Sequence, residues 1–355
     1  MIGQRLKTAR AASGLSLRDL SAEIGNQVSA QMIGRYERDE AMPGSTVLLA
    51  LADALGVSET YLVEQSDLHL DGVEFRKNRF TSRKEEATIE ARVLDEVERY
   101  LLIEQLIGAS SAAWLQPLGA PFPVHSEGEA EAAAGRLRQL WNLGIDFVPK
   151  LAEFLEEHGI KVVAIALPDS VSGLFCRVAR RKAPSVPTIV INASDAGERQ
   201  RFTLAHELGH LVLEVSDDLN SEKAAHRFAS AFLMPAELLW AEVGRHRRAV
   251  AVGELVELKK LFGVSAQAIA YRCKDLGIIG PGAYRALFDA FSRYGWRSPP
   301  YSEPNAIDKE EPRRFRRLCF RALAEGLLSD AKGAELLRVS VRELDHEMAA
   351  NTVDP

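Results

Sequence analysis

The sequence predicts a mainly α-helical protein with a small α+β part. Through most of the 355 residues, apolar side chains recur at three- and four-residue steps, which is the spacing of amphipathic helices. Three short apolar runs, separated by proline and serine, predict strands at 160–166, 173–178 and 188–191. A chain of this length exceeds one ordinary domain, so we expect several domains.

Composition narrows the class of protein. Hydrophobic residues make up 46% of the chain and charged residues 26%, the balance of a globular protein. We expect no membrane span and a cytoplasmic location, because no run of about 18 apolar residues and no apolar secretory leader is present. Cys176, Cys273 and Cys319 lie far apart, which argues against disulfides or a cysteine zinc site. The net charge of −6 argues against a protein that binds nucleic acid over its whole surface, but it permits one small DNA-reading face.

Residues 1–65 predict a head of five short helices, of which the second and third form a helix-turn-helix. Ser16 and Ser29 are the expected N-caps of these two helices, and Gly25 ends the first of them. Pro43-Gly44 then breaks the chain before a strongly apolar fourth helix. In this arrangement the third helix would enter the major groove of DNA.

The third helix supplies the candidate DNA contacts. Glutamine suits adenine and arginine suits guanine, whereas other basic side chains bind phosphates. The candidates for base contacts are Ala30, Gln31, Gly34 and Arg35, and those for phosphate contacts include Arg18 and Arg38. The head has six basic and eight acidic residues, so its net charge is −2, although a DNA-binding domain of this size is often basic. A protein-interaction module therefore stays open as the alternative.

The rest of the chain divides into three further parts. Residues 66–130 predict a helical connector, with a charged stretch from Phe75-Arg76-Lys77, a long amphipathic helix at 84–106 and a loop at 116–128. Residues 131–240 predict an α+β domain. Residues 241–355 predict a helical C-terminal domain, in which 258–279 and 322–344 are helix-turn-helix-like but lack an evident set of base-reading side chains.

The α+β domain contains the motif HExxH on a helix predicted from Glu198 to Leu213. His206 and His210 lie one turn apart on one helix face, within reach of one metal ion. Glu207 can take a proton from bound water, whose pKa the metal lowers to about 7. Zinc is the predicted ion, with manganese as the alternative.

A third protein ligand is needed. Glu214 shares the helix but would reach the ion with an awkward geometry, and Asp217 and Asp218 are expected in the turn. Glu222 opens the next predicted helix, which can pack against the first, so we favour Glu222 over its alternative role as a helix N-terminal charge. His226 would share a face with Glu222 and donate to the developing oxyanion, the alternative being a packed or surface histidine.

Two ordered motifs resemble the ImmA/IrrE family of metallopeptidases. They are RFTLAHELGHLVL from Arg201, and ExxAxxFA from Glu222 with the following Phe232-Leu-Met-Pro235. The resemblance covers about residues 150–240 and implies a zincin-like α+β fold with a short sheet. It also implies that His206, His210 and Glu222 bind zinc, that Glu207 is catalytic in a gluzincin-like site, and that an Xre-type repressor is the substrate.

Residues 3–63 resemble the Xre or Cro/C1 family of DNA-binding regulators. The resemblance rests on Tyr36-Glu37-Arg38, on the break at Pro43 and on the apolar helix at 51–57. The sequence departs from the pattern at Asp39, where glycine is usual, and in a turn before the third helix that is longer by about two residues. A head, connector, peptidase and helical tail in this order resemble a recurring fusion among bacterial regulators.

Two functions follow from these observations. The first is a homodimeric regulator that binds operator DNA and, as a zinc endopeptidase, cleaves an Xre-type repressor in a stress, phage or toxin–antitoxin response. The second is a non-proteolytic transcription factor or antitoxin whose zinc site is structural or senses a ligand. A closed structural site usually has four protein ligands and no use for a general base. Three candidate ligands and Glu207 therefore favour the first function.

Overall fold

The computed structural model describes residues 2–63, 68–71, 83–108, 113–181, 183–298 and 301–350. These residues form seventeen helices and six strands, so the predicted mainly α-helical fold with a small α+β part is confirmed. The charged stretch Phe75-Arg76-Lys77 and the predicted boundary at 65–66 lie outside the described residues.

The chain forms two compact units that do not follow its linear order. The first unit comprises Met1–Ala113, Cys176–Thr188 and Arg313–Pro355, and the second comprises Trp114–Phe175 and Ile189–Pro312. The predicted four-part division stays a prediction.

The first unit is built from nine helices and a short strand. Its elements are α1 (Gly3–Ala12), α2 (Leu17–Glu23), α3 (Ala30–Glu37), α4 (Ser45–Leu55), α5 (Glu59–Val63), β1 (Leu68–Asp71), α6 (Arg83–Leu106), α15 (Arg314–Ala324), α16 (Asp330–Leu337) and α17 (Val341–Ala350). The first five helices enclose a small apolar core that includes Leu6, Leu20, Ile33, Leu51 and Leu62.

The predicted caps of the helix-turn-helix are confirmed. The Ser16 hydroxyl accepts a hydrogen bond from the Asp19 amide at 3.1 Å, and the Asp19 carboxylate accepts one from the Ser16 amide at 2.8 Å. The Ser29 hydroxyl accepts from the Met32 amide at 3.2 Å. In the turn between α2 and α3, Gly25 and Asn26 both adopt left-handed backbone angles, φ 66° and 57°. Glycine and asparagine tolerate this region, so the long turn closes without a penalty for a bulky side chain.

Asp39, the departure from the usual glycine, has a local role. Its φ of 55° lies in the left-handed region that usually favours glycine. The Asp39 carboxylate accepts a hydrogen bond from the Gly3 amide at 2.8 Å and so caps the start of α1. A Cβ on Gly3 would lie 2.6 Å from the Glu37 carbonyl oxygen, so α1 meets the end of α3 only because residue 3 lacks a side chain.

The predicted connector helix, α6, is an integral part of the first unit. Its Val93, Val97 and Ile103 are fully buried. The Arg5 guanidinium of α1 donates to the Glu98 carboxylate at 2.8 Å. The Arg314 guanidinium of α15 donates to the Tyr100 hydroxyl of α6 at 3.1 Å. The long helix thus holds the head and the C-terminal helices in one unit.

The second unit contains eight helices and three complete strands. Its elements are β2 (Phe122–Val124), α7 (Glu127–Leu140), α8 (Leu151–Glu157), β3 (Lys161–Ile165), α9 (Gly197–Val212), β6 (Leu213–Val215), α10 (Ser221–Leu233), α11 (Ala236–Val243), α12 (Val252–Phe262), α13 (Ala266–Asp275) and α14 (Pro281–Arg293). The hairpin of β4 (Gly173–Arg180) and β5 (Ala183–Asn192) has its base in this unit and its tip in the first.

The strands form two sheets. The four-stranded sheet has the order β1-β4-β5-β3, and β1 runs antiparallel to β4 with Leu68 opposite Arg180. In the second sheet β2 pairs in parallel with β6, with Phe122 opposite Leu213. The loop prediction for 116–128 is therefore wrong at 122–124. The predicted helix to Leu213 is wrong at its last residue, because Leu213 begins β6.

Among the described residues, no helix is both long and apolar enough to cross a membrane. Cys176, Cys273 and Cys319 are all buried, and none of them forms a disulfide. Burial raises the pKa of the Cys273 thiol to about 11 and that of Cys319 to about 12, so both are unreactive at neutral pH.

Two glycines of the head should respond oppositely to alanine. We expect Gly3→Ala to lower the free energy of unfolding by about 1–3 kcal/mol, because its Cβ would collide with a backbone carbonyl. Gly34→Ala should leave stability unchanged or raise it by up to about 1 kcal/mol, because its Cβ would lie at contact distance, 3.4–3.5 Å, from its neighbours and alanine favours a helix. Urea unfolding of the full chain measures both. Equal effects of the two changes would contradict the close approach of α1 and α3.

Candidate metal centre and nucleic-acid interface

Helix α9, which carries HExxH, is anchored through its first turns. The Arg201 guanidinium forms an ion pair with Glu310 at 2.5 Å and donates to the Val148 carbonyl at 2.7 Å. Burial lowers the pKa of Arg201, and the neighbouring Glu310 opposes that shift. The Gln200 side chain accepts from the Glu310 amide and donates to the Asn192 carbonyl, both at 2.9 Å. These bonds fix the rotation of α9 about its axis and hence the direction of its histidines.

Helix α10 packs closely against the second half of α9. A Cβ on Gly209 would lie 3.2 Å from the Phe228 ring and 3.3 Å from the Cα of Ala225, so the approach depends on glycine. The Asn220 side chain caps α10 by accepting from the Lys223 amide at 3.0 Å. Glu222 therefore stands in the first turn of a helix that lies directly beside HExxH.

The structure brings His206, His210 and Glu222 together. The Nε2 atoms of the two histidines are 3.1 Å apart. The Glu222 carboxylate oxygens lie 3.6 Å from His206 Nε2 and 3.4 Å from His210 Nε2. Among the described residues, this is the group of three or more side chains whose donor atoms could hold one metal ion.

The three donor atoms fit a divalent metal. Zinc–nitrogen and zinc–oxygen distances near 2.0–2.2 Å in tetrahedral geometry place donor atoms about 3.3 Å apart. The two nitrogens are 3.1 Å apart, and they lie 3.4 and 3.6 Å from the two different oxygens of the Glu222 carboxylate, so the observed separations are close to that value. His206 is 4% exposed but the Glu222 side chain is 47% exposed, so the cluster is buried on the histidine side and open on the carboxylate side. An open side is typical of catalytic rather than structural zinc sites.

The two predicted catalytic residues lie on the same helices as the cluster, Glu207 on α9 and His226 on α10. Glu207 is 4% exposed and follows His206 on α9. The His226 ring lies 5.7 Å from the His206 ring and 4.7 Å from that of Phe202, measured between centroids. His226 is exposed, so it is accessible to a bound substrate.

The other carboxylates considered as third ligand lie outside the cluster. Glu214 is exposed on β6, and Asp217 and Asp218 are exposed in the following turn. Glu214 cannot continue the face of α9, because the helix ends at Val212.

Sequence reasoning missed a tyrosine beside the cluster. The Tyr271 ring of α13 lies 6.5 Å from that of His226. Burial raises the pKa of Tyr271, and the nearby Asp275 and Glu127 raise it further, so the hydroxyl stays protonated at neutral pH. Tyr271 is more than 40 residues from His226 in the chain, and no motif connects them.

The predicted DNA contacts of the head are distributed unevenly. Gln31, Arg35, Arg38 and Arg18 are exposed, and Ala30 is half-buried. Gly34 is buried, so its predicted place on the exposed face is wrong. The reason is that α2 packs there, with Leu17 3.5 Å from the position of a Cβ on Gly34. Arg38 forms an exposed ion pair with Glu40 at 2.7 Å, and Arg35 lies 3.8 Å from the same carboxylate. Exposed pairs of this kind are weak, so both arginines can exchange them for phosphates or bases.

Family comparisons match the two regions that contain these sites. Residues 155–274, which include the helix-bound cluster, match the IrrE N-terminal-like domain, a peptidase family. Residues 6–62 match the helix-turn-helix family. The chain thus joins an Xre-type helix-turn-helix domain to a peptidase domain of the IrrE/ImmA type.

Two curated relatives extend this assignment. Both are named radiation response metalloprotease IrrE, one from Deinococcus deserti and one from Deinococcus radiodurans, and both are 38% identical to this chain where they align. The alignments cover 25% of this chain in each case, and 36% and 31% of the two relatives. The chain therefore spans about a third of the length of these relatives.

Metal binding should depend on the three clustered side chains and not on their neighbour. We expect His210→Ala to weaken zinc binding by more than about 100-fold and Glu222→Gln to weaken it by about 10- to 100-fold, because each removes one donor. Glu214→Gln, an exposed carboxylate outside the cluster, is the matched control and should leave affinity unchanged. Competition with a zinc chelator measures all three. A loss with Glu214→Gln equal to that with Glu222→Gln would contradict the assignment of the third ligand.

Proposed function

We propose that this chain is a DNA-binding regulator that also acts as a metal-dependent endopeptidase on a regulatory protein. The observation that carries the proposal is a three-donor cluster with one exposed side, in which the donor residue His206 is directly followed on α9 by the buried Glu207. A structural metal site gains nothing from an additional buried carboxylate, whereas hydrolysis of a peptide needs a proton acceptor.

The side chains of the site have separate roles in the proposed reaction. A zinc or manganese ion held by His206, His210 and Glu222 would supply Lewis-acid polarisation of water and of a carbonyl group. A carboxylate oxygen of Glu207 takes the proton of the attacking water and later delivers it to the leaving amine. His226 donates a hydrogen bond to the oxygen of the scissile carbonyl as negative charge develops there.

The head favours a regulatory substrate over an unselected one. A domain that binds operator DNA concentrates the peptidase where other regulators are bound, so an Xre-type repressor is the substrate we propose. A stress, phage or toxin–antitoxin response is the setting in which loss of a repressor changes transcription. We further propose that the protein acts in the cytoplasm as a homodimer, since helix-turn-helix proteins bind paired half-sites.

Glu207→Gln should separate chemistry from metal binding. The amide cannot accept the proton of water, so we expect cleavage of candidate Xre-type repressors to fall by about 100- to 10,000-fold while zinc remains bound. Gel electrophoresis of the repressors with zinc-loaded protein measures the rate, and Glu214→Gln serves as the active control. Cleavage by both native protein and Glu207→Gln, or by neither, would reject the endopeptidase. The second outcome would favour a non-proteolytic regulator or antitoxin with a structural or ligand-sensing metal.

The head should recognise DNA through α3. We expect Gln31→Ala and Arg35→Ala each to weaken binding to the protein's own promoter by about 5- to 100-fold, because each removes a base contact. Arg18→Ala should weaken binding to all sequences alike, because its contact is to phosphate. Gel shifts against specific and unrelated duplexes measure these effects. Unchanged affinity in both α3 variants would remove this helix as the base-reading element and favour a protein-interaction module.

A further inference from the structure

A row of aromatic side chains begins beside the metal centre. We call Tyr271, Tyr284 and Phe288 the aromatic row. Tyr271 lies 6.5 Å from His226, Tyr284 lies 6.2 Å from Tyr271, and Phe288 lies 4.4 Å from Tyr284, all measured between ring centroids. Tyr271 is 44% exposed, and the other two rings are half-buried. Ring surface is therefore accessible next to the proposed reaction centre.

One exposed lysine lies over this row. The Lys274 Nζ atom is 5.3 Å from the centroid of Tyr271 and 5.0 Å from that of Tyr284. Within the part of the chain that the structure describes, Lys274 makes no ion pair. The nearby cations Arg227 and Arg272 are paired with Glu131. Lys274 can therefore bind a carboxylate of a ligand without first breaking an ion pair within the protein.

Part-buried ion pairs join the helices that present Tyr271 and His226. Glu131 of α7 binds Arg227 of α10 at 2.6 Å and Arg272 of α13 at 2.9 Å. Asp275 of α13 binds Arg227 at 2.7 Å. Each arginine adjoins a residue of interest, Arg227 next to His226 and Arg272 next to Tyr271. This bridge fixes α13 beside α10, so Tyr271 keeps its distance from His226.

We propose that the aromatic row and Lys274 form a side-chain subsite for the protein substrate. The preferred segment carries an aromatic residue next to an acidic one. The exposed ring surface receives the aromatic side chain, and Lys274 binds the neighbouring carboxylate. This proposal deepens the proposed endopeptidase function and rests on it.

Charge favours a peptide over a nucleic acid at this place. Single strands also bind to aromatic side chains, but their phosphates require several cations in sequence. Here two cations lie over the row, Lys274 over the two tyrosines and Arg297 5.4 Å from the centroid of Phe288, while Asp275 and Glu127 act on Tyr271. Two cations are too few to follow a strand of phosphates, whereas a single acidic side chain of a peptide is matched by Lys274.

The subsite can be tested by binding without turnover. The protein is the zinc-loaded full chain with Glu207→Gln, and the probes are four fluorescein-labelled dodecapeptides of glycine and serine that differ only in a central pair. The pairs are Asp-Phe, Asp-Ala, Lys-Phe and Lys-Ala, and fluorescence anisotropy measures affinity. We expect Asp-Phe to bind most tightly. The affinity for Asp-Ala, which lacks the ring, should be about three- to tenfold lower. The affinity for Lys-Phe, which lacks the acid, should be about two- to fivefold lower.

Variants of the subsite should change the two preferences separately. Lys274→Glu should abolish the advantage of Asp-Phe over Lys-Phe, and Tyr271→Leu should abolish that of Asp-Phe over Asp-Ala. The matched controls are Lys260→Glu, whose lysine is exposed on α12, and Tyr294→Leu, whose ring is 58% exposed beside Trp296. Both controls should bind all four peptides as the parent protein does.

Several results would overturn the subsite. These are equal affinity for the four peptides, binding of none of them, equal losses in the control variants, and tighter binding of a twelve-nucleotide oligothymidylate than of the Asp-Phe peptide. Failure of the endopeptidase proposal is separate. It would be recorded as the absence of cleavage by the native protein, whereas the peptide preference is measured on a variant that does not cleave.

Discussion

The close contact of α9 with α10 at Gly209 is the constraint on which the metal centre depends. Two helices separated by ordinary side chains lie 8–10 Å apart between axes, and small residues at the crossing reduce that distance. At this crossing Gly209 faces Ala225 and Phe228, and a Cβ would come within 3.2–3.4 Å of both. Glu222 is one turn before Ala225. The short separation of the helices is therefore what allows its carboxylate to come within 3.6 Å of both histidines.

Close packing alone does not fix the position of α9 along the axis of α10. The first turns of α9 are fixed by Glu310, whose carboxylate pairs with Arg201 and also accepts from the amides of Leu151 and Ala152 at 3.2 and 2.9 Å. A buried charge is costly unless it is paired and hydrogen-bonded, and this carboxylate meets both conditions. A single side chain thus links α8, α9 and the segment before residue 312. Sliding of α9 along α10 would leave Arg201 or Glu310 buried without its partner.

Local features of the fold were predictable, because their causes lie within a few residues of each other. The N-caps Ser16 and Ser29 and the start of α10 near Glu222 follow from side chains and periodicity that the sequence displays directly. The strands β1 and β2 were not predictable in this way, since each is completed by a partner far along the chain. Gly34 illustrates the same limit, because helical periodicity placed it on an open face that α2 in fact covers.

The residues of the candidate site also fall into two groups, those predictable from local spacing and those that depend on packing between distant segments. His206, Glu207 and His210 share one helix, and Glu222 opens the next one, so spacing and a short connection were sufficient to nominate them. Tyr271 and Lys274 lie on α13, and the part-buried bridge through Glu131 that fixes α13 beside α10 has no sequence pattern. Residues that bind the metal must converge on one point, which restricts their spacing. Residues that would select the substrate need only contact it, so their spacing in the sequence is not restricted. Their positions follow only from the packing of α7, α10 and α13.

The charges of the site explain why its histidine side is buried and its carboxylate side is exposed. Two neutral imidazoles and one carboxylate leave a net charge of about +1 with a divalent ion, and Glu207 would balance that charge. The histidine side can therefore be buried without a large uncompensated charge, as the 4% exposure of both His206 and Glu207 indicates. Glu222, at 47% exposure, leaves the opposite side accessible. A peptide approaching the carbonyl-binding position from that side would meet His226, which is exposed on the same helix and next to the aromatic row.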